Sequence, residues 1–314
     1  MSEAKYSIQW TAPKKPPMVP PRVTFMRQRW AESDRKRDEG LTTPEDVERF
    51  DNLSYGKDPV WHRLDLYRPK GVEGKLPVIV SVHGGGYFYG TKETYQFYCM
   101  DLARRGFAVL NMNYRLAPEH HYPAPLEDVN SAMSWMVAHS AEFELDTDNV
   151  FMVGDSAGAQ LVSQYAVICS NLIYAAHMEI TPPKFRLGAV GLNCGMYDLA
   201  KETQPAMFKG VMKDYFGTDP QKYGEQLNVL DYIDANYPPA YLISAPNDFL
   251  ASHLMPMAAK LTRCGVENQW KLYGTLQQKE VAHVFHVNLR LPEAKQANDD
   301  ETAFFRAHLV QVQQ

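Results

Sequence analysis

A five-residue segment, GDSAG at 154–158, carries the residue types that a serine nucleophile needs. It follows a short apolar run at 150–153 and precedes a segment that is helical in pattern. A serine on a sharp turn between a strand and a helix projects its hydroxyl from the strand end, above the helix N-terminus. The pattern therefore predicts that Ser156 is a catalytic nucleophile and that Asp155 braces the turn.

Three consecutive glycines follow His83, directly after the apolar run LPVIVSV. Glycines leave backbone N–H groups uncovered by a Cβ atom, and such groups bind an oxygen that becomes negatively charged during acyl transfer. We expect an oxyanion hole in which the N–H groups of Gly84, Gly85 and Ala157 donate hydrogen bonds. His83 and Gly86 are expected to support the loop.

Short apolar runs alternate with segments of helical pattern along most of the chain. Such alternation is typical of a mostly parallel sheet with helices on both faces. The predicted strands lie at 61–67, 76–82, 107–112, 150–153, 189–192, 240–244 and 269–273. The predicted helices lie at 95–105, 126–139, from Ala157 onward and at 296–312. The strand at 61–67 alternates in polarity and is expected to be half exposed.

Two further motifs, YRLAPE at 114–119 and YPAPLEDV at 122–129, separate the glycine loop from the serine. In this order, the four motifs resemble the hormone-sensitive-lipase-like branch of the α/β-hydrolase family, which includes bacterial-type carboxylesterases and acetyl esterases. The resemblance is strong over about residues 57–195. It implies an α/β-hydrolase fold with an eight-stranded, mostly parallel sheet, helices on both faces and a helical cap. It also gives Glu119 and Asp128 a structural role.

The resemblance divides the chain into three parts. Residues 1–57, which are Pro-rich and then charged, are expected to form an N-terminal cap segment, with a helix starting at 43–46. Residues 196–237 interrupt the alternation and are expected to form a cap insertion. The catalytic domain then comprises residues 58–195 and 238–314.

The acid of the triad should follow a late strand, because this fold orders its triad as serine, acid, histidine. Asp248 follows the predicted strand at 240–244 and is the expected acid. The alternatives are Asp198, Asp231 and Asp234, which all fall in the predicted cap insertion.

The base should follow the next strand, where His283 matches the His-Gly-Phe pattern of the family. Val284 stands in place of the glycine. If that position requires a positive φ, a β-branched valine is strained there. His286 therefore stays open as the alternative base.

These residues predict a serine carboxylesterase that hydrolyses short-chain acyl esters, acetyl to butyryl, through a covalent acyl-enzyme. The bulky Tyr87, Phe88 and Tyr89 after the glycines favour a short acyl group. The alternatives are an amidase or formamidase on the same triad and a non-catalytic ligand-binding relative. The expected partner is a small-molecule ester, and the chemistry requires no metal and no organic cofactor.

Composition argues against several other classes. The 314 residues are 45% hydrophobic and 22% charged, which is typical of a globular protein. The net charge of −5 argues against nucleic-acid binding. The N-terminus lacks the apolar core of a signal peptide and no apolar stretch is long enough to span a membrane, so a cytoplasmic location is expected. The resemblance leaves room for a homodimer through a strand edge.

The four cysteines show no metal-binding spacing, and we expect them to be reduced thiols: Cys99, Cys169, Cys194 and Cys264.

Overall fold

The computed structural model describes residues 19–199, 209–217 and 219–310. Parts of three predicted segments lie outside these residues: 1–18 of the N-terminal cap segment, 200–208 and 218 of the cap insertion, and 311–312 of the last predicted helix.

Eight strands form one sheet at the centre of the described structure. They are β1 Val47–Ser54, β2 Arg63–Pro69, β3 Leu76–Val82, β4 Ala108–Met112, β5 Leu145–Asp155, β6 Leu187–Asn193, β7 Ala240–Ser244 and β8 Asn268–Leu272. Their order across the sheet is β1-β2-β4-β3-β5-β6-β7-β8. The pairs formed by β2 are antiparallel, and those from β4 to β8 are parallel. The predicted eight-stranded, mostly parallel sheet is confirmed.

Eight α-helices are described around the sheet. They are α1 Pro21–Asp38, α2 Lys92–Ala103, α3 Ala124–Ala138, α4 Ala157–Ser170, α5 Leu172–Met178, α6 Lys209–Phe216, α7 Leu254–Arg263 and α8 Pro292–Ala307. The buried side chains of α3, α4, α5 and α7 join one hydrophobic core, and those of α2 and α8 join a second core on the opposite face. None of the described helices is both long and apolar enough to cross a bilayer.

The central elements are apolar on every side because both faces of the sheet are covered. All five residues of β4 are buried, and six of the seven in β3. Helix α4 is buried from Ala157 to Ile168, since it packs on α3 and α5 as well as on the sheet. Continuous apolar runs of this kind are what a doubly covered parallel sheet requires.

The strand expected at 61–67 corresponds to β2, but the prediction that it is half exposed is wrong. Residues Leu64 to Arg68 of β2 are all buried. Asp65, a polar position that suggested exposure, is buried in an ion pair, since its carboxylate lies 2.9 Å from Lys92 Nζ and both side chains are at most 4% exposed. A buried charge is tolerated when it is paired and hydrogen-bonded, so alternation in polarity does not establish alternation in exposure.

The helix expected to start at 43–46 is a turn that leads into β1. The Thr43 hydroxyl accepts a hydrogen bond of 2.8 Å from Arg49 instead of capping a helix. Threonine followed by proline also favours turns, so the local signal did not distinguish the two. Strand β1 pairs with β2 at the edge of the sheet, within the segment that was assigned to the N-terminal cap.

Helix α1 is fixed on the loops that carry the motifs. Arg27 donates to both carboxylate oxygens of Glu119, at 2.7 and 2.8 Å, and to the Phe88 carbonyl oxygen at 2.7 Å. Asp128 similarly accepts from the backbone N–H of Arg115 at 2.7 Å and lies 3.0 Å from His62 Nε2. Both acidic residues therefore have structural contacts, as the resemblance implies.

A buried carboxyl group lies between α8 and the sheet. Glu301 is 1% exposed, and a Cβ atom on Gly191 would lie 2.1 Å from its Oε1. Burial raises the pKa of Glu301 to about 7, and the neighbouring Asn193 and Tyr98 offset only part of that rise. The folded protein therefore holds this proton more tightly than the unfolded chain does.

Because its folded-state pKa is raised, Glu301 contributes stability that is complete at acidic pH and is lost as the pH rises through 7. Glu301→Gln removes this titration and keeps the shape of the side chain. We expect the variant's unfolding free energy, relative to wild type, to increase by about 2–3 kcal/mol between pH 5 and pH 8.5. Urea unfolding at both pH values measures it, with the exposed Glu73→Gln as the control for net charge. A relative stability that is the same at both pH values would contradict the assignment.

Candidate active site

The predicted catalytic residues follow the carboxyl ends of neighbouring strands, where α/β sheets place functional groups. The glycine loop follows β3, and Ser156 follows β5, which pairs with β3. Asp248 follows β7 and His283 follows β8, which also pair with each other. The sheet order therefore brings segments that are far apart in sequence to one edge.

Ser156 occupies a strained turn between β5 and α4. Its backbone has φ 53° and ψ −117°, a conformation that residues with a side chain rarely adopt. Its N–H donates to the Asn193 carbonyl oxygen at 2.9 Å, which ties the turn to β6. A Cβ atom on Gly158 would lie 2.0 Å from the Val82 carbonyl oxygen, so only glycine allows α4 to begin this close to β3.

A continuous line of hydrogen-bonded groups connects Ser156 to Asp248. His283 Nε2 lies 3.0 Å from Ser156 Oγ, and His283 Nδ1 lies 2.7 Å from Asp248 Oδ1. Such a chain is the geometry by which an imidazole takes a proton from a serine while a carboxylate orients it. The three residues predicted as nucleophile, base and acid are therefore brought together.

The Asp248 carboxylate is fully buried and is held by several donors. Ser244 Oγ donates to Oδ2 at 2.6 Å, and the Leu250 N–H donates to Oδ1 at 2.9 Å. Burial alone would raise the pKa of Asp248, but its contact with His283 and these two hydrogen bonds hold it below the ordinary value. Asp248 therefore stays ionised beside the imidazole.

The alternative base, His286, lies elsewhere. Its side chain is completely buried, and its ring packs edge-on against Tyr98 at 5.2 Å. Burial lowers the pKa of His286 to about 3, so the ring is neutral. Among the alternative acids, Asp234 lies 3.2 Å from the Asn171 side chain. The geometry at Ser156 favours His283 and Asp248.

The predicted oxyanion hole needs one correction. The Gly84 N–H donates to Asp155 Oδ1 and to the Tyr95 hydroxyl oxygen, both at 3.1 Å, so it is not directed at a substrate. A carboxylate behind the loop competes for this donor, which the glycine pattern alone does not reveal. Within the described part of the chain, the N–H groups of Gly85, Gly86 and Ala157 donate to no acceptor.

Asp155 connects the two glycine-containing motifs. Besides the Gly84 N–H, its carboxylate accepts a hydrogen bond of 2.7 Å from the Tyr95 hydroxyl. Burial raises the pKa of Asp155 to about 6. His83 supports the same loop, since its ring stacks on Tyr114 at 4.2 Å, and burial lowers its pKa to about 4.

The side chains that come closest to forming a metal site, among the residues described, are Cys194, Asp248 and His283. Their ligand atoms lie within 4.8 Å of one another. However, Asp248 and His283 are hydrogen-bonded to each other, and burial raises the pKa of the Cys194 thiol well above its ordinary value. Two of the three candidate ligand groups are thus already engaged with each other, and we assign no metal to this cluster. All four cysteines are free, and two of them, Cys99 and Cys194, are buried.

Two cavities meet at Ser156. The smaller, of about 20 Å³, is apolar and is lined on its far side by Tyr87, Met196, Val211, Met212 and Leu250. The larger, of about 390 Å³, is lined by His283, Val284, Phe249 and Tyr89 and by Trp30, Asp34 and Arg37 of α1.

The α1 residues of the larger cavity were not identified from the sequence. Trp30, Asp34 and Arg37 follow an i, i+4, i+7 spacing that places them on one face of a helix. That spacing could have indicated a shared helix face, but no neighbouring residue in the sequence indicates that this face meets the glycine loop.

Comparison with known proteins places the chain among esterases that share its fold. The BD-FAE family model matches residues 64–255, more than half of the chain. Versiconal hemiacetal acetate esterase of Dothistroma septosporum is 28% identical over 248 residues, which cover 73% of each protein. Carboxylesterase NlhH of Mycobacterium tuberculosis is 32% identical over 160 residues, about half of each protein.

A solved structure of esterase B from Lactobacillus rhamnosis, inhibited by a C4-C4 tributyrin phosphonate, has a TM-score of 0.84 to this chain. It is 27% identical, and the alignment covers 91% of this chain and 94% of that chain. A bacterial heroin esterase has a TM-score of 0.74 at 21% identity, which shows the shared fold.

The residue after His283 departs from the glycine that the motif pattern calls for. Val284 has φ 54° and ψ 31°, in the left-handed region. This backbone conformation is unfavourable for any residue with a Cβ and most unfavourable for a β-branched one. The positive φ anticipated for this position is therefore present, and the valine is strained.

Because of this strain, we expect Val284→Gly to be more stable than Val284→Ala by about 0.5–1 kcal/mol, the reverse of the ordinary order. Chemical unfolding of the two variants measures the difference. Val287→Ala and Val287→Gly are the matched controls, since Val287 is buried three residues later on the same loop without a positive φ. There, alanine should be the more stable variant. The same order at both positions would show that residue 284 relaxes to an unstrained conformation.

Proposed function

The chain belongs to the BD-FAE family and to the hormone-sensitive-lipase-like carboxylesterases of the α/β-hydrolases, and from this premise we propose that it hydrolyses short-chain acyl esters with a Ser156–His283–Asp248 triad. It is a carboxylic ester hydrolase, as its relatives and structural neighbours are. The observation that carries the proposal is the pair of contacts made by His283, 3.0 Å to Ser156 Oγ and 2.7 Å to Asp248 Oδ1.

In the first step, His283 Nε2 takes the proton of Ser156 as its Oγ attacks the ester carbonyl carbon. Asp248 holds the proton on Nδ1, so that Nε2 is free to accept, and it stabilises the imidazolium that forms. The carbonyl oxygen becomes an oxyanion and is bound by the N–H groups of Gly85, Gly86 and Ala157. Removing one such donor typically costs about 3 kcal/mol of transition-state stabilisation.

In the second step, the imidazolium donates its proton to the leaving alkoxide, and the acyl group stays on Ser156. The leaving oxygen must therefore lie on the side of His283, which lines the larger cavity and not the smaller one. We infer that the alcohol portion of the ester occupies the larger cavity and the acyl portion the smaller. A water molecule, deprotonated by His283, then hydrolyses the acyl-enzyme and releases the acid.

The size of the smaller cavity supports a short acyl group. Its volume of about 20 Å³ exceeds the space of a single water only slightly, and Tyr87 closes one side. Met196 and Met212 are flexible side chains that move aside more easily than branched ones, which extends the range towards butyryl. The acetate esterase named among the relatives and the C4-C4 phosphonate bound to esterase B agree with acyl groups of this length.

We expect Ser156→Ala and His283→Ala to lower kcat for p-nitrophenyl acetate by at least about 10³-fold. The first removes the oxygen that bonds to the acyl carbon, and the second removes the group that transfers the proton. His286→Ala should keep kcat within about tenfold of wild type. Ester hydrolysis and the circular dichroism of each variant are measured together. A folded His286→Ala protein as inactive as His283→Ala would overturn the choice of base, and turnover by Ser156→Ala would overturn the nucleophile.

A matched p-nitroanilide measured beside the ester separates an esterase from an amidase.

Met212→Ala is expected to lengthen the preferred acyl chain by about two carbons, because it removes a wall of the smaller cavity. A p-nitrophenyl ester series from acetate to decanoate measures kcat/KM against chain length. Met255→Ala is the control, since this methionine is 49% exposed and lines neither cavity. If both variants keep the wild-type optimum, the smaller cavity does not bind the acyl chain.

A further inference from the structure

The larger cavity has an acidic side chain that the proposed triad chemistry does not use. Asp34 is on α1, and its carboxylate lines this cavity together with Trp30 and Tyr89. The side chain is 24% exposed although it lies within the site. The hydrogen bonds of this carboxylate go to Arg37 and Tyr89 and not to Ser156 or His283, so it is suited to recognition rather than to proton transfer.

Asp34 is held rigidly by two donors. Arg37 Nη1 donates to Oδ1 at 2.9 Å, and the Tyr89 hydroxyl donates to Oδ2 at 2.6 Å. A carboxylate has about four acceptor positions, so these two bonds leave about two unused. Since the group is already oriented, a ligand that donates to it loses little conformational entropy in organising the site.

The walls around Asp34 are aromatic. The rings of Trp30 and Tyr89 are nearly perpendicular, at 5.4 Å and 85°. Phe249 lies across the cavity, half exposed, with its ring 4.1 Å from that of His283. These faces favour a ring-shaped group, because aromatic side chains bind flat apolar surfaces at little cost in conformational entropy.

Asp34 is already paired with a cation of this protein. Arg37 forms ion pairs with both Asp34 and Asp38, at 2.9 and 2.7 Å. Its guanidinium lines the same cavity and repels a second positive charge placed beside Asp34. A hydroxyl group is able to donate to the carboxylate without this repulsion.

We propose that the alcohol portion of the substrate is a ring bearing a second hydroxyl group, and that Asp34 determines this specificity by accepting a hydrogen bond from that hydroxyl. The inference rests on the proposed function, since it assigns the alcohol to the cavity that His283 lines. The ring oxygen in the ester bond is the leaving group at His283, and the second hydroxyl of the ring points away from the reacting atoms, towards α1.

The test compares esters that share an acetyl group and differ only in the donor on the ring. The pairs are 3- and 4-hydroxyphenyl acetate against 3- and 4-methoxyphenyl acetate, because a methoxy group accepts but does not donate. We expect wild type to prefer the better hydroxyphenyl ester at least tenfold in kcat/KM, chiefly through KM. Asp34→Asn, which places an amide beside the hydroxyl, should reduce the preference to less than threefold. Asp51→Asn makes the same exchange at a carboxylate that does not line the cavity, and it should keep the preference.

A ratio that Asp34→Asn leaves unchanged, or that is near one in wild type, would overturn the inference while hydrolysis itself continues. Acetylcholine and its uncharged analogue, 3,3-dimethylbutyl acetate, form a second arm. A tenfold preference for the cation, lost in Asp34→Asn, would also overturn it in favour of an ammonium site.

Binding to the Ser156→Ala variant separates this inference from the proposed function. Dissociation constants for the hydroxyphenyl and methoxyphenyl acetates are measured by titration, which requires no turnover. A tenfold tighter binding of the hydroxyphenyl ester that Asp34→Asn removes would support the inference even if wild type hydrolysed neither ester, a result that would refute the proposed function alone. Equal binding of both esters would refute the inference.

Discussion

The buried carboxylate of Asp155 holds together the two segments on which the site depends. It is 2% exposed and accepts hydrogen bonds from the Gly84 N–H and from the Tyr95 hydroxyl. Through these contacts the glycine loop after β3 is fixed to the turn that carries Ser156. Placing a carboxylate here is costly, as its raised pKa shows, and the cost is tolerable because the group is hydrogen-bonded on both oxygens. The resulting loop leaves the next N–H groups, at Gly85 and Gly86, free of protein acceptors in the described structure.

The same principle explains why so many polar groups lie inside this molecule. Asp65 is paired with Lys92, Asp128 with Arg115, and Asp248 with His283. Each pair joins two different elements or loops, so it stabilises one arrangement of them over others that bury the same apolar area. Among the described residues Glu301 forms no ion pair, and its pKa is raised to about 7, whereas contacts with His283 and other donors lower that of Asp248. Burial acts to raise the pKa of both carboxyl groups, and only the partners of Asp248 outweigh it.

Much of the fold and of the proposed triad was predictable because the relevant signals are local. The glycines around Ser156 and after His83 are required by close backbone approach, and such approach leaves a pattern of a few adjacent residues. The strand at 240–244 was predicted with its observed bounds because its apolar run is also a signal of adjacent residues. The direction of the Gly84 N–H was not predictable, because Asp155 and Tyr95 attract it from other segments. Nor was the burial of β2, which depends on Lys92, or the position of α1, which depends on Arg27 reaching Glu119.

In the proposed mechanism, the position of His283 gives the two cavities different functions. A single imidazole must first accept a proton from Ser156 and then donate it to the leaving oxygen, so the leaving group is confined to the side of the ring that the histidine faces. The smaller cavity, proposed for the acyl group, is bounded by α6 and by segments that follow the β6 and β7 strands, whereas the larger cavity is bounded by α1. Since α1 is attached through Arg27 to loops and not through the triad, its residues are able to select the alcohol without altering the distances among Ser156, His283 and Asp248. If the proposed mechanism holds, selection of the acyl group and selection of the alcohol are physically separate in this fold, and they meet only at the carbon that Ser156 attacks.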